Sequence, residues 1–184
     1  MSRNLDFKSE TFQLYAQALG EAAMAWNDFH MVLSYLFGVA TRIPNKMAPD
    51  VMWNSLKSDR AQREMLEALV GLNVISYNIQ RKLRAEIKWV LEQATKLENL
   101  RNNLLHSPVL IDEFEVVFAW HHLGHKRAKQ FAGKDVLQEA RYFYDTVIVL
   151  REYTEKLSDI LSQAPGVSLP GRPSLPNRGR PNGQ

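Results

Sequence analysis

Three long segments of this sequence repeat apolar residues at alternating spacings of three and four positions. That spacing keeps the apolar side chains on one face of an α-helix, and so long an apolar face must be buried against a partner. The segments cover about residues 9–39, 76–106 and 135–161. In the first, the predicted buried positions are Phe12, Tyr15, Leu19, Ala22, Trp26, Phe29, Leu33 and Leu36. In the second they are Leu83, Ile87, Val90, Ala94, Leu97 and Leu104, and in the third they are Val136, Ala140, Phe143, Val147, Leu150, Leu157 and Leu161. The pattern predicts an all-α, up-and-down bundle.

Two shorter helices are predicted between the first and second long ones. Pro44 and Pro49 disfavour helix in the residues before them, so residues 41–49 are predicted to be a connection. A short helix is expected at residues 50–57, and Ser58 can cap another that ends near Gly71. The bundle is therefore predicted to contain four to five helices.

A small β-hairpin is predicted before the last long helix. Between residues 109 and 133 the apolar period changes to two, which is typical of a half-buried strand. We expect the second strand at residues 127–131, after a turn at 123–126, and we expect the inward positions of the first strand to be Phe114, Val116, Phe118 and Trp120. Asp135 and Gln138 then resemble the capping box that begins the last helix.

Length and composition indicate one helical domain followed by a tail. Residues 1–163 are predicted to form the domain, and residues 164–184 hold five of the eight prolines and no periodic apolar residues, so we expect this tail to be disordered. The arginines of the tail, at positions 172, 178 and 180, account for the whole net charge of +3. With no cysteine, no apolar leader and no run of roughly 18 apolar residues, we expect a cytoplasmic protein without a membrane partner.

Arg101 is a charged residue on the otherwise apolar face of the second long helix. A desolvated, unpaired guanidinium costs several kcal/mol, so this position requires a counter-charge, an anionic ligand or a route to solvent. Asn99, Asn102, Asn103 and His106 lie on the neighbouring face in the last turns, before Pro108 ends the helix. Two interpretations stay open: Arg101 and His106 grip and protonate a phosphodiester, or Arg101 extends to solvent while His106 caps helix carbonyls.

The run Arg101-Asn102-Asn103-Leu104-Leu105-His106 resembles the signature of the HEPN superfamily (higher eukaryotes and prokaryotes nucleotide-binding domain), in which an Arg and a following polar residue precede a His. The predicted helices of residues 9–163 are also similar to that family's compact helical bundle. The resemblance implies a metal-independent endoribonuclease, frequently a toxin or a phage-defence effector, whose active site forms where two copies of the motif meet in a homodimer. Arg101 would stabilise the phosphate charge, His106 would act as general acid or base, and Asn102 would support them.

The resemblance also implies partners and excludes a cofactor. RNA would be the substrate, a second copy of the chain would complete the site, and an antitoxin or another regulatory protein could control it. Neither a metal nor a cofactor is expected. The alternative interpretation is a non-catalytic helical module that binds protein, a nucleotide or RNA.

A basic stretch after the predicted hairpin is the best local candidate for contact with the RNA backbone. Lys126, Arg127 and Lys129 occur there without a neighbouring acid, although a solvated loop has the same composition. His121, His122 and His125 nearby could suggest a metal site, but the surrounding positive charge and the lack of a carboxylate disfavour one. On the first helix, His30 is interpreted as a core histidine that has hydrogen-bond partners.

Overall fold

A computed structural model of the chain describes residues 8–45, 47–72, 79–112, 114–119, 125–162 and 168–178. These described residues form five α-helices, a two-stranded antiparallel sheet and a 3-10 helix at Ala128–Phe131. The helices are α1 (Glu10–Thr41), α2 (Met47–Asn54), α3 (Asp59–Gly71), α4 (Ile79–His106) and α5 (Val136–Ser162), and the strands are β1 (Val109–Ile111) and β2 (Val117–Ala119). The predicted all-α fold, with a small hairpin before the last long helix, is confirmed.

Helix boundaries follow from side chains that cap free backbone amides. Ser9 Oγ accepts a hydrogen bond from the Phe12 amide at 3.2 Å, and Ser58 Oγ accepts one from the Ala61 amide at 3.2 Å. At the start of α5, Asp135 Oδ1 accepts from the Leu137 amide at 2.9 Å. Each cap satisfies a donor that the first helical turn cannot satisfy itself, which is why these helices begin where the sequence predicts.

The short helix α2 begins earlier than the sequence predicts. It starts at Met47 rather than at Asp50, so that Pro49 lies in its first turn and is buried. Proline is tolerated there because the first amides of a helix have no intrahelical acceptor. The Asn45 side chain accepts a hydrogen bond from the Met47 amide at 3.0 Å and supports this earlier start.

The chain divides into two compact units that share the three long helices. One unit contains residues 1–26, 97–147 and 175–184, and the other contains residues 27–96 and 148–174. In the first unit the buried side chains include Trp26, Leu104, Val117, Phe131 and Phe143, and the rings of Trp26 and Phe143 lie 5.8 Å apart. Burial of each large apolar side chain contributes about 1.5–3 kcal/mol, so this cluster is the main source of stability in the unit.

The second unit has its own apolar core. The rings of Phe37 and Trp53 lie 5.6 Å apart, which fixes α2 against the C-terminal half of α1. Gly38 faces Pro49 of α2, and a Cβ at position 38 would lie 3.7 Å from Pro49 Cβ, an ordinary van der Waals contact. The core of this unit is completed by buried residues of the remaining helices, including Phe29, Leu33, Leu36, Leu66, Val90, Leu150 and Leu157.

The hairpin differs from the prediction in its strands. β1 pairs with β2 in antiparallel register, with Val109 opposite Ala119 and Ile111 opposite Val117. The predicted second strand at residues 127–131 is wrong, because residues 128–131 form the 3-10 helix. Of the predicted turn at 123–126, residues 123 and 124 lie outside the described residues. Between β1 and β2, Asp112 Oδ1 accepts hydrogen bonds from the Phe114 and Val116 amides, both at 2.9 Å, as in a tight turn.

The inward face of β2 is also opposite to the prediction. Val117 and Ala119 are 1% and 2% exposed, whereas Phe114 in the turn is 79% exposed. β2 packs against the 3-10 helix, in which Ala128 and Phe131 are buried. The small side chains turn inward, and the predicted inward position Trp120 lies outside the described residues.

Residues 168–178 of the tail form neither helix nor strand, as their composition predicts. Arginines of this segment nevertheless make ion pairs with α4 and α5, which a prediction of disorder did not anticipate. Residues 164–167 and 179–184 lie outside the described residues. Among the helices that the structure describes, none is both long enough and apolar enough to span a bilayer.

Candidate functional site

Arg101 is half-buried on α4, and an aromatic ring accounts for its place on the apolar face. Its guanidinium carbon lies 5.6 Å from the centroid of the Trp26 ring, and Trp26 itself is buried. A cation over the face of an indole is attracted by the ring's negative electrostatic potential, by about 0.5–2 kcal/mol depending on desolvation. The charge is therefore held in a defined place by the Trp26 ring of α1.

Asn102 connects Arg101 to the basic stretch that follows the hairpin. Its Oδ1 atom accepts a hydrogen bond from Arg101 Nη1 at 3.0 Å, and its backbone carbonyl accepts one from Arg127 Nη1 at 3.3 Å. Asn102 was expected to support Arg101 and His106, and its amide oxygen accepts a hydrogen bond from Arg101. Two guanidinium groups from different predicted sites thus converge on one asparagine.

His106 is the last residue of α4 and is exposed. At about 100° and 1.5 Å per residue, the side chains of Arg101 and His106 point about 140° apart around the helix axis and about 7.5 Å apart along it. One copy of α4 therefore does not bring the guanidinium and the imidazole to a single point.

The other predicted RNA-binding residues lie on the surface near the same unit's 3-10 helix. Lys126 and Lys129 are exposed, as is Arg127. His125 has a structural role at the start of the 3-10 helix, where its Nδ1 atom accepts a hydrogen bond from the Ala128 amide at 3.2 Å. Within the described residues, then, the basic groups of this stretch face solvent, and one of them contacts the end of α4.

No metal centre is found in the part of the chain that the structure describes, where no group of three or more His, Cys, Asp or Glu side chains is placed to hold an ion. His121 and His122 lie outside the described residues, so a site that used them is not tested.

A separate cleft of about 470 Å³ lies in the second unit, between α1, α2 and α3. His30 lines it and confirms its interpretation as a core histidine with partners: Nδ1 lies 3.3 Å from Gln62 Oε1, and Nε2 lies 3.3 Å from Arg63 Nη1. Because arginine can only donate, Nε2 must accept, and Nδ1 must carry the proton that it donates to Gln62. This buried network fixes α3 on α1, and nothing in it resembles a nucleophile with its base.

Sequence reasoning missed three residues around the candidate site and the core. Trp26 was predicted only as a core position, although it also holds the guanidinium of Arg101. Glu139, a buried acid of α5, is paired with Arg178 of the tail, which the sequence pattern did not predict. Arg63, which is 3% exposed, lies on an amphipathic helix whose pattern gave no sign that this charge is buried.

Comparison with known proteins adds no further assignment: no family model, no curated protein and no solved structure matches this chain. Positions 101–106 and the residues that contact them are therefore the basis for proposing a function.

Proposed function

We propose that this protein is a metal-independent endoribonuclease whose active site is built from two copies of the chain. The observation that carries the proposal is the placement of Arg101, whose side chain is half-buried with its guanidinium over Trp26 and beside Asn102, five residues before His106 ends α4. A fixed cation, an amide and an exposed imidazole at one helix end are the groups that cleavage of a phosphodiester requires.

The chemistry needs only the RNA and these side chains. His106 removes the proton of a ribose 2′-hydroxyl, and the 2′-oxygen attacks the adjacent phosphorus. The bond from phosphorus to the 5′-oxygen then breaks, and the leaving oxygen takes up the proton that the His106 imidazolium now carries. The products are a 2′,3′-cyclic phosphate and a 5′-hydroxyl, and no step requires a redox partner or a metal.

Arg101 is assigned the role of stabilising the charge that develops on phosphate oxygens. Its guanidinium donates in a planar fork that matches two oxygens, and it stays protonated throughout the reaction. Because Trp26 and Asn102 hold the side chain in advance, little reorganisation is needed when the charge appears, which is the basis of large electrostatic contributions to catalysis.

The geometry of α4 supports a homodimer rather than a monomer. Arg101 and His106 point about 140° apart on one helix, so we assign each reaction centre the guanidinium of one copy and the imidazole of the other. Lys126, Arg127 and Lys129 are exposed beside this helix end and would contact the RNA backbone. In the cell we place the protein in the cytoplasm as a toxin or phage-defence effector, controlled by an antitoxin or another regulatory protein.

A non-catalytic RNA-binding module is the second candidate. It is favoured by the same contact of Arg127 with Asn102, because a basic surface that is fixed to a helix end can bind phosphates without chemistry. The contact of Arg101 with Trp26 would then be structural only.

RNA cleavage in excess chelator separates these two functions. We expect purified protein to cut RNA under these conditions and the Arg101→Ala and His106→Ala variants to lose at least a hundredfold in rate, since each removes a group that acts in the transition state. Analysis of the cut ends should find a cyclic phosphate on one fragment.

Arg81→Ala is the matched control, because it removes the same charge from an exposed position near the start of the same helix. That variant should cut RNA at the wild-type rate. Cleavage by Arg101→Ala and His106→Ala that equals the wild type would contradict the catalytic assignment, and RNA binding without cleavage would support the second candidate.

A further inference from the structure

The tail contains a tandem repeat that ends each time in an arginine. Residues 168–172 read Ser-Leu-Pro-Gly-Arg, and residues 174–178 read Ser-Leu-Pro-Asn-Arg. The two arginines are six positions apart, which is two turns of a polyproline II helix, so such a segment projects both from the same edge. Both repeats belong to the described residues, and both of their arginines contact the helices.

The first arginine, Arg172, contacts a carboxylate and an aromatic ring of α4. Its Nε atom lies 2.6 Å from Glu86 Oε2, and its guanidinium carbon lies 5.6 Å from the centroid of the Trp89 ring. Tyr153 of α5 donates its hydroxyl to the same carboxylate at 2.9 Å and packs edge-on against Trp89, with ring centroids 5.7 Å apart. The Tyr153 hydroxyl also lies 3.4 Å from the carbonyl of Pro170, in the same repeat.

The charge state of this first site favours a cationic ligand. Burial of Glu86 opposes its ionisation, but the hydrogen bonds from Arg172 and Tyr153 and the charge of Arg172 outweigh burial and lower its pKa. Burial and the hydrogen bond to Glu86 raise the pKa of Tyr153 to about 12, so its hydroxyl remains a donor. With Arg172 in place, the carboxylate is ionised and accepts hydrogen bonds from both the guanidinium and the Tyr153 hydroxyl.

The second arginine, Arg178, contacts an equivalent pair on α5. Its Nε atom lies 3.0 Å and 2.9 Å from the two carboxylate oxygens of Glu139, and its Nη2 atom also contacts that carboxylate. Its guanidinium carbon lies 5.6 Å from the centroid of the Tyr142 ring. Two donors on one carboxylate form the forked geometry that selects arginine over lysine.

Glu139 indicates that this second site is a binding site for a cation. Its side chain is 8% exposed, and a buried carboxylate is strongly destabilising unless a charged group pairs with it. The group that pairs with it comes from the tail, which forms no helix or strand there. Each repeat therefore supplies the same ligand chemistry, an arginine, to the same kind of receptor, a carboxylate beside an aromatic ring.

We propose that the helical part of this protein carries binding sites for extended, proline-rich peptides of the pattern Ser-Leu-Pro-x-Arg, and that its own tail is the resident ligand. The sites are centred on Glu86 and on Glu139, and each accepts one arginine. A separate peptide with the same two repeats binds when the tail is displaced. This inference does not depend on the proposed ribonuclease activity.

Binding of a free peptide tests the proposal directly. The probe is a fluorescently labelled peptide of residues 168–178, and the receptor is the full chain with Arg172→Gln and Arg178→Gln, which releases the tail but leaves both sites intact. In the wild type, the tethered tail competes with the peptide at roughly millimolar effective concentration. We therefore expect the released chain to bind the peptide at least tenfold more tightly than the wild type does. Fluorescence anisotropy of the labelled peptide measures both affinities.

Two controls make this binding specific. Arg180→Gln removes the same charge from the tail outside the repeats, and it should leave binding of the peptide at the wild-type level. Adding Glu86→Gln and Glu139→Gln to the released chain should abolish binding. Equal binding by the released and wild-type chains, or binding that survives the loss of both carboxylates, would overturn the proposal.

A second measurement uses the unaltered protein. Trypsin does not cut at arginine before proline, so the free peptide is resistant, whereas the Arg178–Gly179 bond of the chain is a substrate. Excess peptide at about ten times the effective concentration of the tail should displace it and speed cleavage at this bond several-fold. A peptide with glutamine at both arginine positions should have no effect, and equal rates with both peptides would contradict recognition of the repeat.

Discussion

At the scale of single residues, the polar side chains at the C-terminal end of α4 differ in how well they are stabilised. The guanidinium of Arg101 lies over Trp26 and donates to Asn102, and the helix carboxyl end favours nearby cations by about 0.3–1 kcal/mol. Ser107, directly after the helix, lacks such stabilisation. Its Oγ atom is buried and has no hydrogen-bond partner in the described part of the chain. A buried hydroxyl in that condition costs about 1–3 kcal/mol.

Replacing Ser107 should therefore stabilise the protein. We expect Ser107→Ala to raise the free energy of unfolding by about 0.5–1 kcal/mol, measured by urea denaturation, because the unsatisfied hydroxyl is removed and the methyl group fits. Ser158→Ala is the matched control, since that buried hydroxyl donates to the Thr154 carbonyl at 2.9 Å and its loss should destabilise by about 1 kcal/mol. Equal destabilisation by both substitutions would contradict this account of Ser107.

At the scale of secondary-structure elements, locally encoded features were predictable and contact-dependent ones were not. The helices follow from the spacing of apolar residues and from caps such as Ser9 and Ser58. Both features involve only residues that are close in sequence. The inward face of β2 is set by what the strand packs against, which includes the 3-10 helix, so alternation alone predicted the wrong side. In the same way, the sequence showed that Arg101 is a charge on an apolar helix face, but it did not show that the Trp26 ring contacts this charge.

The hairpin turn should depend on one side chain. Asp112 Oδ1 accepts two backbone amides, so we expect Asp112→Ala to lower the free energy of unfolding by about 1–2 kcal/mol and to speed hydrogen exchange at residues 117–119. Asp112→Asn keeps an acceptor oxygen and should retain most of the stability. Identical behaviour of the alanine and asparagine variants would show that the side chain does not organise this turn.

At the scale of the whole molecule, the charge distribution suits association between copies. The net charge of +3 equals the three arginines of the tail, at 172, 178 and 180, so residues 1–163 are neutral overall and do not oppose pairing by long-range repulsion. Arg172 and Arg178 are in turn paired with Glu86 and Glu139. In the proposed function, a local group of basic side chains at the end of α4 attracts RNA, and a second copy of the chain completes the site.

Mixing inactive variants tests that dependence most directly. Arg101→Ala and His106→Ala chains, each inactive alone, are unfolded together, refolded as an equal mixture and assayed for RNA cleavage in excess chelator. If each centre takes its guanidinium from one copy and its imidazole from the other, random pairing restores one intact centre in the mixed dimers, and activity should return to about a quarter of the wild-type rate. A mixture that stays as inactive as its components, while the refolded wild type recovers, would contradict a shared site.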